Sequence, residues 1–252
     1  DECVTSDDCW GGLTCANGMC MEPLPGFPPF GGMLWEGVEC EDPVDGNVVS
    51  YFEVPGASPA GDELDFFRLP FPNDVRRSGG GVDLDGFPTP GAGFLPYDPV
   101  AVYVNALESE ASGWGIEPTV IFRFSGGVDI STFQSAMDEH TFRIVDITPG
   151  DPDYGSTAGY RFYLSGSRNK YVCHNWVGLR RSARNPLIPG HTYAYYMTTR
   201  GKAGDGSDII RGTHFDAMLA SNVPSDSVLA DAHASFAPFR AYLGDQGIDP
   251  SS

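Results

Sequence analysis

Closely spaced carboxylates are the residues of this chain with the clearest capacity for chemistry. Asp83-Leu84-Asp85-Gly86 sets two of them two positions apart before a glycine, Asp151-Pro152-Asp153 repeats the spacing, and Asp205-Gly206-Ser207-Asp208 is a third acidic loop. Loops rich in oxygen suit Ca2+, a hard cation that takes about six to eight such ligands. Asp83, Asp85, Asp151 and Asp153 are therefore the candidate metal ligands, with Ca2+ the one cofactor the sequence suggests. None has the spacing of an EF-hand, and Asp with Gly is also the ordinary chemistry of turns, so the turn reading is the stronger. A carboxylate pair can also serve glycoside hydrolysis, but nothing in the pattern sets two of them across a groove.

The histidines carry less. His140, His174, His191, His214 and His233 show neither H-x-H nor H-x-x-x-H spacing, and isolated histidines are more often structural or exposed than ligating. A Ser-His-Asp triad assembles in space rather than in sequence. No G-x-S-x-G elbow marks a nucleophile, however. The expectation is a protein without a catalytic site.

Six cysteines make up the remaining reactive set. Cys3, Cys9, Cys15 and Cys20 crowd into a stretch with almost no aliphatic residues, where covalent links must replace packing. A zinc site is disfavoured, because no close C-x2-C pair is present and no histidine precedes His140. Interleaved bridges, Cys3 with Cys15 and Cys9 with Cys20, fix a short segment better than nested ones, although spacing leaves all three pairings open. Cys40 and Cys173 then remain and are expected to join each other. Disulfides on this scale belong to an oxidising compartment. The opening Asp1-Glu2-Cys3 reads as mature protein with its signal peptide removed, at the cell surface or outside the cell.

Charge and composition narrow the partners. The formal net charge is -19, with two lysines, Lys170 and Lys202. Such a surface repels phosphate backbones and anionic membranes, which excludes nucleic acid as a partner. No apolar run approaches the roughly 20 residues that span a bilayer. With 41% hydrophobic residues the chain can bury a core, and 32 Gly with 21 Pro point to many turns.

Four stretches are distinguished: a disulfide knot over 1–21, a Pro/Gly-rich linker over 22–37, a β domain over 38–224 and a C-terminal helix with its tail over 225–252. The linker carries Phe27, Phe30 and Trp35, which would lie along the main domain or form a partner contact. Alternating runs predict strands at 51–54, 119–124, 141–147, 160–164, 170–177 and 192–199, separated by Gly and Pro turns. Asp98-Pro99 is an N-cap and first-turn pair that predicts a helix over 99–110. Residues 131–138 read as a single short turn of helix. Ser225 or Asp226 should cap a last helix that Pro238 kinks or divides.

Several of these residues carry a family resemblance. Residues 1–20 resemble the small C-x5-C-x5-C-x4-C modules of extracellular proteins, which act as spacers or contact points. The stretch Asp65-Phe66-Phe67-Arg68-Leu69-Pro70-Phe71-Pro72-Asn73-Asp74, followed by Val82-Asp83-Leu84-Asp85-Gly86-Phe87-Pro88, resembles the domain that precedes the catalytic part of bacterial virulence-factor lipases. Related segments occur in large surface proteins of myxobacteria. Thr119 to Ser125, together with Asn185 to Tyr193, looks like the pattern of bacterial Ig-like domains of S-layer and adhesin type. The resemblance covers about residues 60–220 and implies fold rather than chemistry.

The expected fold is accordingly mainly β: an Ig-like β-sandwich with a few short helices and a small N-terminal disulfide-rich module. The expected function is a non-enzymatic secreted or surface module for adhesion or assembly, with protein neighbours or copies of itself as partners. Two alternatives are an accessory domain of a secreted lipase or esterase, without the hydrolase, and a carbohydrate-binding module that uses the linker aromatics on a glycan.

Overall fold

The computed structural model describes residues 3–4, 9, 13–16, 19–21, 35–57, 65–92, 97–133, 141–182 and 186–250. At the N-terminal end β1 (Thr14–Ala16) and β2 (Met19–Met21) pair antiparallel, with Cys15 opposite Cys20. Bridges join Cys3 to Cys15 and Cys9 to Cys20, the interleaved pattern, and Cys40 to Cys173. Beyond them come β3 (Val49–Ser50), β4 (Arg77–Ser78), β5 (Gly81–Val82), α1 (Pro99–Glu110), β6 (Thr119–Arg123) and β7 (Phe142–Asp146). The chain continues through β8 (Tyr160–Ser165), β9 (Trp176–Arg181), β10 (Tyr193–Met197), β11 (Ile210–Arg211), α2 (Thr213–Leu219), α3 (Ser227–Ser235) and α4 (Ala237–Asp245).

The mainly β, Ig-like sandwich expected from the sequence is not what forms. Among the described residues helix and strand take equal shares, 23% each, a mixed α/β composition. Strands among the described residues pair in twos and threes: β6-β9-β8 and β7-β10 antiparallel, β4-β5 as a hairpin, and β3 parallel to β11. Local turn chemistry cuts several predicted strands short. At 170–175 the Asn169 side chain accepts from the backbone N–H groups of Tyr171 and Val172, and Asn175 has φ 59°, so β9 begins only at Trp176. At 51–54 the backbone leaves strand geometry after Ser50, and Phe52 and Val54 turn into the core instead.

Apolar residues of these short strands share cores. Val120 and Phe122 of β6, Val177 and Leu179 of β9, and Phe142 and Ile144 of β7 meet around Phe124 and Phe133. Burying such a side chain contributes about 1.5–3 kcal/mol. The other face of β7 and β10 presents Val145 and Ala194 to Phe239, Tyr242 and Leu243 of α4, so helices cover a surface that a sandwich would leave to solvent. A further cluster joins Phe66, Phe67, Val82, Leu84 and Val172 beneath α1.

Helices α1 and α3 follow their caps. Asp98 accepts from the N–H groups of Val100 and Ala101 and Pro99 opens α1. Asp226 caps α3 through the N–H of Leu229, and Pro238 starts α4 as a separate helix. Within 131–138, a 3-10 turn spans Ile130–Thr132, and residues 134–138 lie outside the described set.

A buried ion network pins the Asp65 to Asp74 stretch. Asp65, with its side chain 4% exposed, accepts from Arg123 at 2.8 Å and caps the turn Phe66–Arg68 through the N–H of Phe67. Arg68 reaches Glu53 at 3.0 Å and Glu41 at 2.6 Å. Phe71 then bridges to Ile121, and Asn73 caps the next turn through the N–H of Val75. The stretch therefore extends the sheet edge at β6.

Candidate binding cleft

The alternation of β10 decides what lies beside it. Ile147 N–H donates to Thr192 O and Thr198 N–H donates to Thr141 O, with Tyr193 opposite Asp146 and Met197 opposite Phe142. Bonded and non-bonded pairs alternate along an antiparallel ladder. The amides of residues 192, 194, 196 and 198 therefore face β7, and those of Tyr193, Tyr195 and Met197 face away from it. Among the described residues no strand meets that outer edge.

The open edge borders a cleft of about 680 Å³, within the usual range for ligand pockets. Val120 and Phe122 reach it from the core, Trp114 from the segment 112–116, and Phe215, Phe236 and Phe239 from the helices. The lining thus combines a core-like wall of aromatic side chains with polar residues such as Asp74, Arg77 and Arg211. Tyr195 Oη is buried without a hydrogen-bond partner among the described residues, and burial pushes its phenol up to about 12, with the nearby Arg181 opposing.

His191 stands at the cleft, where its Nδ1 lies 2.7 Å from Oδ2 of Asp146 and its Nε2 lies 3.6 Å from Asp151. The hydrogen bond to Asp146 raises the imidazole above its ordinary pKa; desolvation opposes this, and the charges of Asp146, Asp151 and Asp153 add to the rise. Desolvation pushes Asp146 upward, yet hydrogen bonds from His191 and Thr148 outweigh it and hold the carboxyl below its ordinary range. An Asp-His pair of this kind orients an imidazole for proton transfer. Among the described residues no Ser, Thr or Cys side chain hydrogen-bonds His191, so what the pair does visibly is fasten the 146–151 turn to the start of β10.

The other sequence candidates are dispersed. Asp83 accepts from the N–H of Asp85, and Asp151 accepts from the N–H of Asp153, so both pairs close small turns. The charge beside Asp83 and Asp85 is Arg76, which donates to Asp85 O and lies 3.8 Å over the Phe66 ring; burial draws its guanidinium down to about 10. Among the described residues, the one group of three or more metal-ligating side chains is Cys3, Cys9 and Cys20, all held in disulfides. His214 accepts from the N–H of Val54, His233 meets Ala220 O, and His174 lends its carbonyl to Arg123. His140, Phe27 and Phe30 lie outside the described residues, while Trp35 packs edge-on against Tyr171 at 4.9 Å. The sequence did not point to the cleft or the Asp146–His191 pair, because their parts come from distant segments.

No family model matches this chain, and no curated protein or solved structure matches it. Three disulfides and, among the described residues, no free cysteine fit an oxidising compartment. Among the described residues no helix is long and apolar enough to cross a membrane.

Proposed function

We propose that this is a non-enzymatic extracellular module that holds a neighbouring protein by strand addition. The observation that carries this reading is the edge of β10, which no strand among the described residues meets, lying beside a cleft with an aromatic wall. An exposed edge offers a row of N–H and C=O groups that an extended segment can pair with all at once, and proteins normally cover or blunt such edges. The partner segment runs beside Tyr193–Met197 over about 17 Å. Its alternate side chains are apolar, because they enter a space lined by Phe122, Phe215 and Phe239. Should the neighbour be a secreted lipase, the same surface gives the accessory role that the lipase-like stretches suggest.

The test is amide exchange followed by NMR. In the chain alone the amides of Tyr193, Tyr195 and Met197 exchange faster than those of Ala194 and Tyr196. Ten-residue peptides that alternate Val, Ile or Phe with Thr are then titrated in. Peptides that bind protect the three outer amides, and Tyr195→Pro, which removes the central outward donor, abolishes that protection. Exchange at those amides unchanged by every peptide at millimolar concentration defeats the proposal.

A further inference from the structure

A second surface, on the opposite side of the β6-β9-β8 sheet from its core, has a different chemistry. Residues opposite one another in this sheet point to the same side. Arg161 therefore stands beside Arg180, Tyr163 beside Gly178, and Ser165 beside Trp176. The alternate residues, Phe162, Leu164, Val177 and Leu179, pack into the core.

Like charges directly opposite on antiparallel strands work against the pairing. Here two exposed guanidinium groups are so placed in a chain with 34 acidic residues and only 15 Lys and Arg. Carboxylates are abundant, yet neither the Arg161 nor the Arg180 side chain has a hydrogen bond or ion pair with any described residue. Beside them Tyr163 is 64% exposed, and its ring lies 5.4 Å from that of Trp176. The two rings are tilted by 46°, and the indole is partly buried against the Phe66–Leu84 cluster. Its Nε1 donates to Ser167 O, and a Cβ on Gly178 would come 3.5 Å from Trp176 Cζ3 and 3.1 Å from Thr119 Cγ2. Tyr163 follows Arg161 by two positions, about 7 Å along the strand, the scale of one sugar ring.

We propose that this face binds an acidic saccharide. Arg161 and Arg180 take a carboxylate or sulfate, for which guanidinium forks are suited, and Tyr163 with Trp176 receives the apolar face of the ring. The net charge of -19 repels dense polyanions at long range. The ligand is thus a glycan with isolated acidic groups. This site is separate from the cleft at β10 and stands whether or not strand addition does.

Calorimetric titration of the full chain tests it, with sialyllactose, galactose 6-sulfate, lactose and inorganic sulfate as probes. One or both acidic sugars bind at least tenfold more tightly than lactose and than sulfate. Arg161→Gln/Arg180→Gln weakens that binding tenfold or more while its melting temperature equals or exceeds that of the parent chain, since the like charges are gone. Tyr163→Ala, at an exposed position, weakens it as well. The inference is overturned if neither acidic sugar binds, if lactose or sulfate binds equally well, or if the arginine variant binds unchanged. Binding to anionic lipid vesicles in place of sugars overturns it too.

Discussion

Replacing Asp65 by Asn probes a deeply buried ion pair in the fold. The side chains of Asp65 and Arg123 are 4% and 6% exposed, and burial already draws Arg123 below its ordinary range, with Asp65 opposing. Asn preserves shape but supplies one acceptor where the carboxylate supplied two. One oxygen of Asp65 accepts from Phe67 N–H and the other from Arg123, so whichever way Asn turns, its NH2 faces a donor. Arg123 keeps its bond to His174 O, and its Nε has no partner among the described residues. Removing one member of a buried pair costs about 3–5 kcal/mol. For a chain of this length that lowers the melting temperature by roughly 6–20 °C. Urea unfolding of the parent chain and the variant, monitored by tryptophan fluorescence, measures the loss. The double variant Asp65→Leu/Arg123→Met should lose less than Asp65→Asn, because no unpaired charge stays behind. A loss below about 1 kcal/mol for Asp65→Asn would refute the reasoning, since that is the scale of a solvent-exposed pair.

Three other outcomes are expected. Cys40→Ser/Cys173→Ser opens a loop with a sequence separation of 133 and should cost about 5 kcal/mol by the chain-entropy model, read from urea midpoints. His191, raised above its ordinary 6.5, stabilises the fold fully below that pH, and the contribution fades as pH rises through its raised pKa. Asp146, lowered below 3.8, contributes above that pH and fades as pH falls through its lowered pKa. The melting temperature of the parent chain minus that of His191→Gln should therefore be largest between pH 3.8 and 6.5, and a flat difference across pH 3–9 counts against the pairing. Gly212→Ala sets a Cβ 2.7 Å from Phe52 N and 3.0 Å from Ser50 O, both backbone atoms. It should destabilise by about 1–3 kcal/mol in the same urea assay.

What could be read from residues alone was what local chemistry dictates. Asp98-Pro99 announced α1 and Pro238 announced a break, because a cap and a missing N–H act within one turn. The cysteine crowding led to the favoured bridges because few other groups there can hold a fold. By contrast α2 escaped notice, since Gly212 before it offers no side-chain cap. The extent of the sheets was equally hidden: alternation at Tyr160–Ser165 marks a strand but says nothing of how many neighbours it finds. Sites suffered most. Asp146 and His191 lie 45 positions apart, and Arg161 faces Arg180 only through a register that sequence does not display.

The Cys40–Cys173 bridge fixes how this protein would respond to pulling. Tension applied at the N-terminal side enters at Cys40, crosses the sulfur bridge and leaves through Cys173. Residues 41–172, which include β6, β7 and β8, are thereby out of the load path while force is carried from the N-terminal side through the bridge. Only the portion after Cys173, with β9, β10 and the last three helices, can be peeled away from the C-terminal side. A reducing agent would convert this short mechanical tether into one of nearly full chain length.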